Sequence, residues 1–179
     1  DYDVPIGFFS LEMNNVQLVN RLISNVCEIS GKKILNGQLE QPEWERLDKK
    51  LRKLTGAPIY IDDTPGLSVF ELRTKARRLV REKGVKLLMI DYLQLMNANG
   101  MKFGSRQEEV STISRSLKQL AKELDIPIIA LSQLNRSVKT RESNLEAKRP
   151  QLSDLRESGA IEKDAEMEMI VNSTENYHL

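Results

Sequence analysis

Four short, nearly unbroken apolar runs constrain this chain more than any other feature: residues 5–12 (PIGFFSLE), 58–63 (PIYIDD), 86–96 (KLLMIDYLQLM) and 126–134 (IPIIALSQL). None alternates polar with apolar along its length, as a strand with one wet face does. Runs of this kind predict strands buried on both faces, the sort found in parallel sheets. Parallel neighbours need a long crossover between them. The intervening stretches supply it, because they carry helical spacing.

Val16, Val19, Ile23 and Val26, with Leu18 and Leu22, mark one helical face. Pro42 opens a second helix through Trp44, Leu47, Leu51 and Leu54, which Gly56-Ala57-Pro58 closes. After the turn Thr64-Pro65-Gly66, Ser68 and Glu71 form a capping-box pattern for a helix through about Glu82, ended by Gly84. Val110, Ile113, Leu117, Leu120, Ala121 and Leu124 make the clearest amphipathic helix. Residues 97–107, containing Asn and Gly, read as a loop. Residues 135–151 have no period and hold five basic against two acidic side chains, which predicts a flexible basic loop. A last strand is expected at 167–171. The fold class is α/β: a mostly parallel sheet with helices on both faces, in one domain over residues 1–179 with no internal repeat.

Charge and composition narrow the function. Lys and Arg number 27 against 26 Asp and Glu, so the net charge is +1 and any contact with nucleic acid must be local. No apolar run approaches the roughly 20 residues that span a bilayer. The first residues lack the basic and apolar regions of a secretory signal. A single cysteine, Cys27, allows no internal disulfide and fits a reduced, cytoplasmic setting. One His and one Cys argue against a zinc site.

In open parallel sheets ligands bind at the carboxyl ends of strands. The polar residues there are Glu12, Asp62, Asp63, Asp91, Ser132 and Gln133. Asp91 follows four apolar residues, as a carboxylate does when it must be held rigidly to bind Mg²⁺ directly or through water. Glu12 could activate a water for attack on a phosphate, and the Gln133 amide could sense or polarise the same ligand. Asp62 and Asp63 precede Thr-Pro-Gly and read as turn formers. Complementary chemistry at three strand ends points to a nucleotide triphosphatase.

Four segments occur in order: Phe9-Ser10-Leu11-Glu12-Met13, Met89-Ile90-Asp91-Tyr92-Leu93-Gln94-Leu95, Ala130-Leu131-Ser132-Gln133-Leu134-Asn135-Arg136, and Arg149-Pro150 through Asp164-Ala165. Together they resemble the C-terminal motor domain of DnaB-type replicative DNA helicases, over essentially the whole chain. The resemblance implies a RecA-like P-loop NTPase core and a homohexameric ring that encircles single-stranded DNA, using ATP and Mg²⁺ to move 5′ to 3′. Primase and a helicase loader are its implied partners. By matching position, Glu12 is the implied general base, Asp91 the acid that holds Mg²⁺ through water, and Gln133 the link between the γ-phosphate and the DNA-binding loops. Arg156, Glu157 and Gly159 are implied to hold the DNA backbone, with Lys102 and Arg106 on a second channel-facing loop.

No G-x-x-x-x-G-K-[ST] phosphate loop occurs in the sequence. The resemblance places that loop ahead of Asp1 and the trans-acting Arg and Lys beyond Leu179, so a truncated, inactive motor fragment is expected. The resemblance also sets the strand of that phosphate loop beside the last strand, so without this neighbour residues 166–179 are expected to be displaced, disordered or paired with another chain. Asp164-Ala165-Glu166 and Met167-Glu168-Met169 are more polar than the pattern, which puts the last strand further in doubt. The rival readings are a RecA-type recombinase or mediator, and a DNA-binding remnant without a phosphate loop.

Overall fold

The computed structural model describes residues 3–134 and 161–171. The apolar runs form β1 (Ile6–Ser10), β2 (Ile59–Asp62), β3 (Leu87–Asp91) and β4 (Ile128–Ala130). All pair in parallel, in the spatial order β2-β1-β3-β4. From β1 the chain passes outward to β2 through α1 (Asn15–Cys27), α2 (Gly31–Asn36) and α3 (Gln41–Thr55). It then crosses β1 by α4 (Val69–Lys83) to reach β3, and continues outward to β4 through α5 (Arg106–Leu124). The two outward directions diverge between β1 and β3. A crevice at their carboxyl ends is what such a divergence creates.

The core lies on one face of the sheet. Phe9, Leu88 and Ile90 pack with Leu72 and Ala76 of α4 and Val110, Ile113 and Leu120 of α5, all fully buried. Gly7 shares this face. A Cβ there would lie 2.8 Å from Leu88 Cδ2 and 3.2 Å from Leu79 Cδ1, so β1 approaches α4 as closely as it does only because residue 7 has no side chain. Gly7→Val is expected to destabilise the fold by about 1–3 kcal/mol through overpacking, read as a lower urea midpoint at unchanged slope. An unchanged midpoint would mean that Leu79 and Leu88 move aside freely.

The opposite face departs from expectation. Its side chains Ile6, Phe8, Leu87 and Met89 are half-buried, and Ile129 is 37% exposed. Helices α1, α2 and α3 instead gather around a separate small core of Leu18, Cys27 and Ile29. Full cover is thus confined to the α4–α5 face among the described residues. No helix among them is long and apolar enough to cross a membrane.

Cap chemistry sets the helix ends. Asn14 with Gln17 and Ser68 with Glu71 close capping boxes, and Gly84 ends α4 at φ +65°. Two elements differ from the sequence reading. The short α2 was not expected, since its six residues (GKKILN) contain no apolar period. Residues 167–171 form no strand: Met167, Met169 and Val171 are 80%, 75% and 92% exposed. A strand requires a hydrogen-bonded neighbour, and alternating Met and Glu gives this segment no two-sided apolar surface to bury. Its displacement from the sheet agrees with the expectation over residues 166–171. The rest of that segment lies outside the described residues.

Candidate active site

Backbone register brings two of the candidate residues together. Ser10 and Asp91 are paired neighbours at the ends of β1 and β3. One residue on, the Leu11 N–H donates to the Asp91 carbonyl at 2.8 Å. The chain then bends through residues 11–13, and the buried Ser10 hydroxyl donates to the Met13 carbonyl at 2.7 Å. Glu12 stands exposed on this doubly tethered bend, beside the crevice where the strand order reverses. Asp91 is half-buried, and its peptide bond to Tyr92 is cis. Among the described residues neither carboxylate takes part in an ion pair or a side-chain hydrogen bond.

The other acidic strand end is committed elsewhere. Asp62 accepts from Lys75 Nζ at 2.7 Å and from the Thr64 N–H at 3.1 Å. Burial pushes its carboxyl up, but the Lys75 ammonium and the Thr64 bonds outweigh that and hold it below the usual carboxylate range. Asp63 accepts from the Asn15 N–H at 2.8 Å and so ties the start of α1 to the end of β2. Asp62 thus serves the turn that the sequence reading preferred, while Asp63 bonds α1 instead of the turn.

At the end of β4, the Leu131 N–H donates to the Ile90 carbonyl and the Leu93 N–H to the Leu131 carbonyl, each at 2.9 Å. The backbones then separate, and Gln94 spans the gap with its side chain. Its Nε2 donates to Ser132 Oγ at 2.8 Å and to the Gln133 carbonyl at 3.3 Å. Its Oε1 accepts from the Gln133 N–H at 3.2 Å. Gln133 itself is exposed just beyond the carboxyl end of β4. Gln94 carried no signal in the sequence, because its partners lie 38 and 39 residues away.

The loop after β3 is shorter than expected. Ser105 caps α5 by accepting from the Glu108 N–H, so Arg106 is the first residue of the helix and not part of the loop. Its guanidinium pairs with Glu109 and donates to the carbonyls of Gln94 and Met96 at 2.7 and 2.8 Å. These intramolecular bonds occupy Arg106, whereas Lys102 is exposed at the loop's tip. Arg156, Glu157, Gly159 and the basic stretch 135–151 lie outside the described residues.

The donor set suits Mg²⁺ better than an ion that needs a full protein cage. No group of three or more His, Cys, Asp or Glu among the described residues could form such a cage. A lone strand-end carboxylate such as Asp91, with no ion pair of its own among the described residues, still fits Mg²⁺, which keeps several waters and is usually held by one or two carboxylates plus phosphate oxygens.

Away from the crevice, Glu123 of α5 joins the sheet-covering helices by accepting from Arg77 Nε at 2.6 Å and Arg73 Nη2 at 3.1 Å. The Arg77 bond, with Arg73 in support, holds its carboxyl at about 2 against an ordinary value of 4.5. A depressed carboxylate contributes stability above its unfolded pKa and loses it as pH falls through the folded one. Glu123→Gln is therefore expected to flatten the stability profile between pH 4.5 and about 2. Acid unfolding followed by circular dichroism checks this. Identical profiles for variant and wild type would show that the triad contributes nothing measurable.

A family model described as the DnaB-like helicase C terminal domain matches residues 1–178. The chain belongs to the DnaB-like helicase C-terminal domain family. The replicative DNA helicase DnaC of Bacillus subtilis is 46% identical over 92% of this chain and 36% of its own length. The replicative DNA helicase DnaB of Geobacillus stearothermophilus is 48% identical over 90% and 35%. Among solved structures, a DnaB-like replicative helicase described with its interactions with primase superposes with a TM-score of 0.81 at 39% identity, covering 91% of this chain and 39% of that one. A second solved structure, described as an ATPase domain, gives 0.82 at 39% identity, covering 91% and 57%. The chain thus spans little more than a third of the length of these curated relatives.

Proposed function

We propose that this chain is part of the motor of a replicative DNA helicase, which couples ATP hydrolysis to 5′-to-3′ movement on single-stranded DNA. The observation that carries the reading is the meeting of three chemistries at adjacent parallel strand ends: Glu12 after β1, Asp91 ending β3 and Gln133 after β4. In this reading Glu12 is the general base. Water attacks the γ-phosphorus, the bond to the bridging oxygen breaks toward ADP, and the water's proton passes to the Glu12 carboxylate. Two tethers, Leu11 to Asp91 and Ser10 to Met13, hold the backbone bend from which the Glu12 side chain projects.

Asp91 would hold Mg²⁺ through its waters. Held there, the ion would supply positive charge to offset that of the triphosphate and of the leaving group. Gln133 would meet the γ-phosphate with its amide and report whether it is present. A motor that moves along any sequence should grip phosphates and leave base edges unread. Lys102 suits that grip, as would Arg156 and the backbone near Gly159, with Glu157 bridging to Arg156 or to a neighbouring subunit. A homohexameric ring in the cytoplasm, working with primase and a loader, belongs to the same reading. The relative described with its interactions with primase supports the first partner.

The test is ATP turnover by the full-length protein with and without single-stranded DNA. Strong stimulation by DNA of unrelated sequences is expected. Turnover that ignores DNA would remove the motor reading, and strand exchange on filaments would favour a recombinase. Lys102→Ala is expected to weaken single-stranded DNA binding equally for all sequences. It should also reduce the slope of log K against log salt by about 0.7 for each phosphate the protein no longer neutralises. A loss confined to one sequence would contradict a phosphate role for Lys102.

A further inference from the structure

Two regions that a motor must connect are joined here by one continuous set of hydrogen bonds. Gln94 grips the backbone of Gln133 from both sides, accepting from its N–H and donating to its carbonyl. That pattern reproduces a rung of sheet pairing where the backbones of the β3 and β4 ends have already parted. The third bond, to Ser132 Oγ at 2.8 Å, fits the same orientation of the amide. All three partners therefore agree on how the side chain must point.

The backbone of Gln94 leads the other way. Its carbonyl, with that of Met96, receives Arg106 Nη2 from the first turn of α5. Arg106 also pairs with Glu109, whose Oε1 accepts from the Ala98 N–H at 2.9 Å. Next to it, Glu108 Oε2 accepts from the Gly104 N–H at 2.8 Å. The loop that bears Lys102 is thus pinned at Ala98 and at Gly104 by adjacent glutamates of one helical turn. Burial pushes the Glu109 carboxyl up, but the Ala98 N–H and the Arg106 guanidinium more than offset this and keep it below the usual range. The pins at this end are charged, and charge-assisted hydrogen bonds are the stronger kind.

We propose that Gln94 is a positioning residue that couples the β4 end carrying Gln133 to the loop carrying Lys102, by way of Arg106 and Glu109. The proposal rests on the motor reading above and adds to it the residue through which the two ends communicate. A shift of the 132–133 backbone pulls on the Gln94 amide, and the strain passes through the Gln94 carbonyl to Arg106. Because Arg106 and Glu109 sit on one helical turn, the feet of the loop follow. Gln94 touches neither nucleotide nor DNA in this arrangement, since its amide is committed to residues 132 and 133.

The test uses the full-length protein and two variants, Gln94→Ala and Gln94→Glu. The second keeps the volume and the acceptor for the Gln133 N–H, but sets a carboxylate oxygen against the Gln133 carbonyl. Two quantities are read: the factor by which single-stranded DNA raises kcat, and the ratio of DNA dissociation constants with ADP and with a non-hydrolysable ATP analogue. Both variants are expected to reduce each quantity by about fivefold or more, within the usual range of coupling between sites. KM for ATP should move little. A purely structural role would lower the melting temperature or basal turnover and leave both ratios intact, which would overturn the proposal. Wild-type behaviour of Gln94→Glu would likewise overturn it, because side-chain volume would then suffice. Failure of the motor reading is recognised separately, as wild-type protein that shows no DNA stimulation.

Discussion

In the full-length protein, Glu12→Gln is expected to lower kcat for ATP hydrolysis by about 10²–10⁴-fold, the contribution of a positioned general base, while nucleotide binding survives. The amide keeps the size and the polar character of the carboxylate but cannot accept the proton of the attacking water. The fold should not notice the change, because Glu12 is exposed and makes no side-chain hydrogen bond among the described residues. Turnover and equilibrium binding of a fluorescent ATP analogue separate the two effects. Equal loss of binding and turnover would mean that Glu12 shapes the pocket and does not move the proton.

Asp91→Asn is expected to be nearly as damaging, by a different route. Metal assistance supplies several kcal/mol of transition-state stabilisation, so its loss corresponds to at least ~10²-fold in rate. Asn presents one neutral oxygen in place of two that share a negative charge, and holds the hydrated ion more weakly. Raising the Mg²⁺ concentration should therefore recover part of the activity of Asp91→Asn and none of that of Glu12→Gln. Identical Mg²⁺ titration curves for Asp91→Asn and wild type would remove Asp91 from metal binding. Asp91 also lends its carbonyl to the Leu11 N–H, but that backbone bond is unaffected by the substitution.

Much of the framework was legible in the residues, for physical reasons that differ by element. The strands could be found because their runs are apolar at nearly every position, although only the α4–α5 face is fully covered, and α4 because Ser68, Glu71 and Gly84 mark its ends chemically. The start of α5 was legible too: Ser105 stands three residues before Glu108, the spacing of an N-terminal cap, yet the Gly and Asn content nearby favoured a loop. The strand expected at 167–171 failed because an apolar tendency cannot show whether a hydrogen-bonding neighbour is present. Candidate residues at strand ends follow from the general rule for parallel sheets, but the adjacency of Glu12 and Asp91 does not. It depends on the crossover that carries the chain from β2 past β1 to β3. The Gln94 clasp and the inward turn of Arg106 are long-range side-chain contacts with no periodicity, and only coordinates reveal them.

Directional, ATP-driven movement along single-stranded DNA is the property we propose for the full-length protein. The most direct measurement is unwinding of duplexes that carry either a 5′ or a 3′ single-stranded tail by the full-length protein with ATP and Mg²⁺. Strand separation that requires the 5′ tail, and that disappears with Glu12→Gln while DNA binding persists, is the expected result. Unwinding that requires the 3′ tail, or DNA-stimulated ATP hydrolysis without separation of any substrate, would contradict it.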